Sequence, residues 1–128
     1  MNPSLDDLVL PSGANLQDSE LAQALHGRVG LLEAQEKVKL TGDLLSGSAK
    51  KKLVAAGLAR HAMQRKGWIN ADELSASTEW FAVQVQQKPK SVGEELSRLK
   101  RTGLIDRDHT GWFVPLWALR QAIDFLDE

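Results

Sequence analysis

Apolar and polar positions alternate most legibly between Lys88 and Pro115, in KPKSVGEELSRLKRTGLIDRDHTGWFVP. Val92, Leu96 and Leu99 fall at i, i+4 and i+7. At about 100° per residue they share one helix face that must be buried, so Lys90, Glu94, Ser97, Arg98 and Arg101 face outward. Ser91 and Glu94 have capping-box spacing, which predicts a helix starting at Ser91 and running to Thr102. Pro89 just before it argues against an earlier entry. Gly103 stands where a helix C-cap needs positive φ. Leu104-Ile105 then begins an extended segment that turns at Asp108-His109-Thr110-Gly111 and returns as Trp112-Phe113-Val114.

The same reading extends to both sides. Met1 to Asn15 surrounds a short apolar run, Leu8-Val9-Leu10, with Pro3, Pro11, Ser12 and Gly13, and predicts an irregular arm. Asp18 and Ser19 can cap a helix carrying Leu21, Leu25, Val29 and Leu32. Gly27 and Gly30 weaken it by about 1 kcal/mol each relative to alanine, so two helices, or a helix followed by an extended piece, both fit. Such a stripe packs back on the domain or pairs with a second chain; dimerisation is the expectation adopted. Thr41 to Ser48, TGDLLSGS, is the break between an arm over 1–47 and a domain over 48–128.

Ser48 precedes a long helical stretch, Ala49 to Lys66, with Val54, Leu58 and Ala62 on one side and five alanines that let another helix approach closely. Gly67 ends it and Trp68-Ile69 reads as a short extended link. Asn70 and Glu73 form a second capping box, opening a helix that includes Leu74. Ser77 to Gln87 fits a strand through Phe81, Val83 and Val85, or a helix capped by Ser77 or Thr78; the helix is preferred because two strands are already committed to the hairpin. Pro115 opens a last helix with Leu116, Leu119, Ile123 and Leu126 as its stripe, widened by Trp117 and Phe125. The fold class expected is mainly α with a small β-hairpin.

Composition narrows the function classes. The 128 residues contain no cysteine and three scattered histidines, so disulfides, thiolate metal sites and a zinc site are not expected, nor is any cofactor. No run approaches the roughly 18 apolar residues of a membrane span, and the N-terminus has no signal-peptide pattern, so no membrane partner is expected and the expected location is cytoplasmic. His61 reads as a packed or surface histidine, with no carboxylate at matching spacing.

The net charge of −1 hides an asymmetry. Residues 1–45 carry 3 basic and 7 acidic side chains, residues 46–112 carry 12 and 7, and residues 113–128 carry 1 and 3. The cationic centre fits an anion-binding surface, and an ordinary solvated face as well. Lys50, Lys51 and Lys52 sit at a helix N-terminus, where the dipole prefers acids, so a solvated face or phosphate contacts must compensate.

Between Trp68 and Val114 the chain resembles the winged helix-turn-helix family of DNA-binding domains. The resemblance covers about residues 50–115. It rests on Ala71-Asp72-Glu73-Leu74 as the end of the first recognition half, on Ser91 to Ile105 with its L-x-x-L-x-x-x-G-L-I run, and on Asp106 to Trp112 as the wing. About a dozen residues separate Leu74 from Ser91, where the family usually has a tight turn. P-x-S-x-G-x-x-L-x-x-L is also similar to winged-helix modules of phage and plasmid replication proteins. The resemblance implies a winged helix-turn-helix with an N-terminal helical arm and a C-terminal helix. It further implies insertion of helix 91–102 in the major groove of double-stranded DNA, with the wing 104–114 on the backbone.

The residues supply candidate contacts. Arg98 and Arg101 can reach guanine edges or phosphates. Lys88, Lys90 and Ser91 lie where backbone amides and cations together favour phosphate. Ser97 shares their face, Arg107, His109 and Thr110 crown the wing, and Trp112 is the tryptophan near enough to the tip to touch a partner. Glu94 can pair with Arg98, accept from a cytosine amino group, or complete the capping box, and the last fits best.

The function expected is a small homodimeric DNA-binding regulator of transcription or replication, nucleoid-associated if bacterial or archaeal. The alternative is a winged-helix protein-interaction module, assembling through the arm or terminal helix, to which Glu94, Glu95 and the apolar stripes point. Catalysis is not expected. There is no glycine-rich phosphate loop or metal cluster, and the adjacent acids Asp72-Glu73 and Glu94-Glu95 diverge by about 100° on a helix.

Overall fold

The computed structural model describes residues 16–32 and 37–128; the expected irregular arm over Met1 to Asn15 lies outside the described residues. Among the described residues, five helices and two short antiparallel hairpins make a mainly helical fold.

The centre is α2 (Ala49–Arg65). Ser48 caps it, its side chain accepting from the Lys51 amide at 3.2 Å. Every residue from Leu53 to His61 is buried. This helix therefore has no solvent stripe, and its alanines are what let neighbours close in on all sides. Gly57 marks a close approach, since a Cβ there would lie 2.7 Å from Val114 Cγ2. Past its last turn, Gly67 takes φ +79 and stops the helix as expected.

The N-terminal segment wraps this axis. α1 (Asp18–Leu25) has Gln17 as its N-cap instead of Asp18 or Ser19, and buries Leu21, Ala24 and Leu25. Gly27, at φ +77, then turns the chain into β1 (Val29–Leu32), which pairs with β2 (Lys37–Leu40) through Val29↔Leu40 to Leu32↔Lys37. Of the two readings of 18–32, the helix followed by an extended piece is the observed one. The second strand has no counterpart in the sequence reading, although Lys37-Val38-Lys39-Leu40 alternates exposed and buried as a half-buried strand must.

Leu16, Leu21, Leu25, Val38, Leu40 and Leu44 share one core cluster with Leu53, Leu58 and Leu96. The stripe that the sequence offered to a second chain is thus divided: Leu21 and Leu25 are buried within this chain, Val29 is half-buried, and Leu32 remains 44% exposed.

Asn70 and Glu73 do form a capping box, the Asn70 amide donating to Glu73 Oε1 at 3.0 Å, but the turn it opens is a single 3-10 turn over Ala71–Glu73. A capping box satisfies the first amides whatever follows, and here nothing apolar continues the helical period. The helix that faces the next one is instead α3 (Thr78–Val85), capped by Ser77, whose side chain accepts from the Trp80 amide at 3.1 Å. Gln86, left-handed at φ 57, ends it.

After Pro115 the chain makes a 3-10 turn, Leu116–Ala118, before α5 (Leu119–Asp127). Leu119, Ala122 and Leu126 are buried; Leu116 and Trp117, expected in the stripe, are 54% and 53% exposed because the 3-10 turn rotates them off the inner face.

Candidate nucleic-acid interface

The residues singled out for binding lie mostly on α4 (Pro89–Thr102) and the hairpin that follows it. The helix begins two residues earlier than the Ser91 start expected. Lys88 is the N-cap and Pro89 the first helical residue. Proline has no amide to satisfy there and its φ is already helical, so the restriction it imposes falls on Lys88, which is extended at φ −68, ψ 139. Ser91 is consequently an exposed first-turn residue and not a cap, and Glu94 is released from the capping role and exposed.

Val92, Leu96 and Leu99 are buried against α2 and α3, as the stripe requires. Lys90, Ser91, Glu94, Ser97, Arg98 and Arg101 are all exposed on the opposite side, along a helix of about 21 Å. Arg98 pairs with Glu95, one turn back, not with Glu94. Lys90 and Arg101 take no part in any ion pair among the described residues. From Lys88 to Thr102 there are five basic and two acidic side chains. Gly103 closes the helix at φ +87, with Trp117 so near that a Cβ there would lie 3.3 Å from its Cη2.

β3 (Asp106–Arg107) and β4 (Trp112–Phe113) pair as Asp106↔Phe113 and Arg107↔Trp112. Asp108 organises the tip, its Oδ1 accepting from the Thr110 amide at 2.8 Å, the Thr110 hydroxyl at 2.6 Å and the Gly111 amide at 3.0 Å. The Thr110 hydroxyl, followed by these amides, holds the carboxyl below the usual carboxylate range. Since that hydroxyl donates to Asp108, the Ser75 hydroxyl donates to it in turn, and Thr110 is tied into the turn. His109 stays exposed at the tip.

Trp112 is not a tip residue free for a partner. It is 4% exposed, its indole N–H donates to Thr78 Oγ1 at 3.0 Å, and the Arg107 guanidinium stacks over its ring at 4.7 Å. It also exchanges two backbone hydrogen bonds with Ala76, at 2.9 and 2.8 Å, so the hairpin gains a third, one-residue strand from the link between α2 and α3.

Two buried polar side chains hold this arrangement. Arg60 of α2, 5% exposed, stacks on Trp80 at 4.9 Å and donates to the carbonyls of Glu73 and, at 3.4 Å, Leu74. His61 contacts the Val114 carbonyl through Nε2 at 2.5 Å. The sequence reading did not single out Arg60 or Ser75, and offered Thr78 only as an alternative cap, since their partners lie 13 or more residues away.

The lysine triplet lies elsewhere. Lys50 is exposed, while Lys51 donates to the backbone carbonyl of Glu128 at the end of α5, which satisfies a helix C-terminus and places it with that helix instead of with α4. Among the described residues no three His, Cys, Asp or Glu side chains are grouped to hold a metal ion, and no helix is long and apolar enough to cross a membrane.

No family model, curated protein or solved structure matches the chain.

Proposed function

We propose that the chain is a winged helix-turn-helix protein that binds double-stranded DNA, with α4 in the major groove and the β3–β4 wing along the backbone. The observation that carries this reading is the polar face of α4, exposed along its length with Lys90 and Arg101 unpaired among the described residues, beside a wing whose third strand is Ala76. The order α2, Ala76, α3, α4, β3, β4 supports it, and so does the short link between α3 and α4, Gln86 to Lys88. That link replaces the dozen-residue gap read from the sequence, because α3 and not the Asn70 turn faces α4. A homodimer with two α4 helices about 34 Å apart, acting in transcription or replication, completes the proposal.

Fluorescence anisotropy on labelled duplex across a salt series tests the reading: affinity falls steeply with salt, because cations that neutralise phosphates release counterions. Binding that is absent, or indifferent to salt, would sink it.

One set of observations favours the second reading, a protein-interaction module. Glu94 sits in the middle of the α4 face, Trp117 lies half exposed beside the C-terminal end of that helix, and Leu116 is half exposed too. Co-purification of a defined partner by a protein that ignores duplex DNA would select it.

A further inference from the structure

We propose that the β1–β2 hairpin is a second phosphate-binding element, with Lys37 and Lys39 contacting the sugar–phosphate backbone of the same duplex that α4 enters; this rests on the DNA-binding reading above. The strand alternation sets both lysines outward, since Val38 and Leu40 occupy the intervening inward positions. Lys39 stands across from Gly30, which has no side chain to obstruct it. Neither lysine takes part in an ion pair among the described residues.

The hairpin is fixed to the helix pair and not loosely appended. The Val38 amide donates to Gln84 Oε1 of α3 at 2.9 Å, and the Gln84 amide group donates in turn to the Trp80 carbonyl at 3.1 Å. Gln84 is itself 6% exposed, so the tether is shielded from water.

The outer surface of α3 then runs unbroken from the hairpin to the start of α4. One shallow depression holds Lys37 against Glu79 and Val83; the next holds the same Glu79 and Val83 against Lys88 and Pro89. Lys37 and Lys88 are thus the two cationic banks of one strip, with a single carboxylate, Glu79, between them. A duplex centred on α4 presents its flanking phosphates to that strip, and Glu79 is the group that opposes them.

The test is anisotropy on a labelled duplex, from low to physiological salt, for the wild type, Lys37→Ala/Lys39→Ala, Lys37→Arg/Lys39→Arg, Glu79→Gln and Arg101→Ala, each checked by circular dichroism for retained helix content. The double alanine variant is expected to lower the magnitude of the log K against log salt slope by about 1.8, at about 0.9 per phosphate contact. The double arginine variant restores it, and Glu79→Gln tightens binding. An unchanged slope in the double alanine variant, together with a reduced slope in Arg101→Ala, overturns the hairpin site while leaving the α4 reading standing. Loss of helix content in the double alanine variant, with no rescue by arginine, overturns it as well. A wild type with no salt-sensitive duplex binding overturns both.

Discussion

The Nε2–H of His61 donates to the carbonyl of Val114 at 2.5 Å, joining the buried middle of α2 to the residue that follows β4. A carbonyl can only accept, so the bond requires the proton on Nε2.

Burial pushes the His61 pKa below its ordinary value of 6.5; the Val114 bond opposes this and the Arg65 charge adds to it. The unfolded chain therefore takes up the proton more readily than the folded one. Stability is fully present above pH 6.5 and is lost as pH falls from there towards the lowered folded value. Urea unfolding of wild type and His61→Gln across this window is expected to show a steeper loss for the wild type. Parallel curves would count against the assignment.

Two glycines are expected to respond oppositely to alanine. At Gly111, with φ +151, a Cβ would lie 2.3 Å from the Ala76 carbonyl oxygen, and backbone cannot yield there. Gly111→Ala should lose at least about 2 kcal/mol. Gly93 is in the interior of α4, and its Cβ would meet only Thr78 Cγ2 at an ordinary 3.7 Å. Gly93→Ala should gain roughly 0.8–1 kcal/mol from helix propensity alone. Thermal unfolding of the two variants checks both signs.

Arg60→Met removes a guanidinium that holds the carbonyls of Glu73 and Leu74, while keeping comparable volume. Those carbonyls precede the Ala76 strand, so the β3–β4 hairpin loses its anchor along with α3. A loss of roughly 2–4 kcal/mol is expected, charged hydrogen bonds being the stronger kind. A change below about 0.5 kcal/mol in chemical denaturation would show the clamp to be dispensable.

On DNA the two arginines of α4 should separate. Arg98 is already paired with Glu95, whereas Arg101 takes no part in an ion pair among the described residues. Arg101→Ala should lower the salt slope by about 1 and Arg98→Ala by less, while Glu95→Gln, by freeing Arg98, should strengthen binding. Equal slopes for the two arginine variants would contradict this ordering.

Much of this arrangement is legible in the sequence where one local signal determines one outcome. Ser48 announces its helix, Gly67 and Gly103 end theirs, and Val92, Leu96 and Leu99 choose the buried side of α4. What escapes is decided by contacts distant in sequence, or by a signal shared between two outcomes. Asn70 and Glu73 make the same bonds before a 3-10 turn as before a long helix. Pro89 restricts the residue before it equally well from outside the helix or from its first position. Trp112 reads as a tip residue until Thr78 and Ala76, both more than 30 residues earlier, are seen to cover it. The candidate face follows the same division: exposure of Lys90, Glu94 and Arg101 follows from period alone, but pairing of Arg98 with Glu95, and capture of Thr110 by Asp108 and Ser75, do not.

The single-residue strand at Ala76 has a kinetic consequence. Its pairing with Trp112 closes a loop of chain that contains the whole of α3 and α4, so the bridge must offset the closure entropy of that loop. It should appear late in refolding and open early under stress. When it opens, the third strand of the β3–β4 sheet and the Ser75–Thr110 contact are lost together.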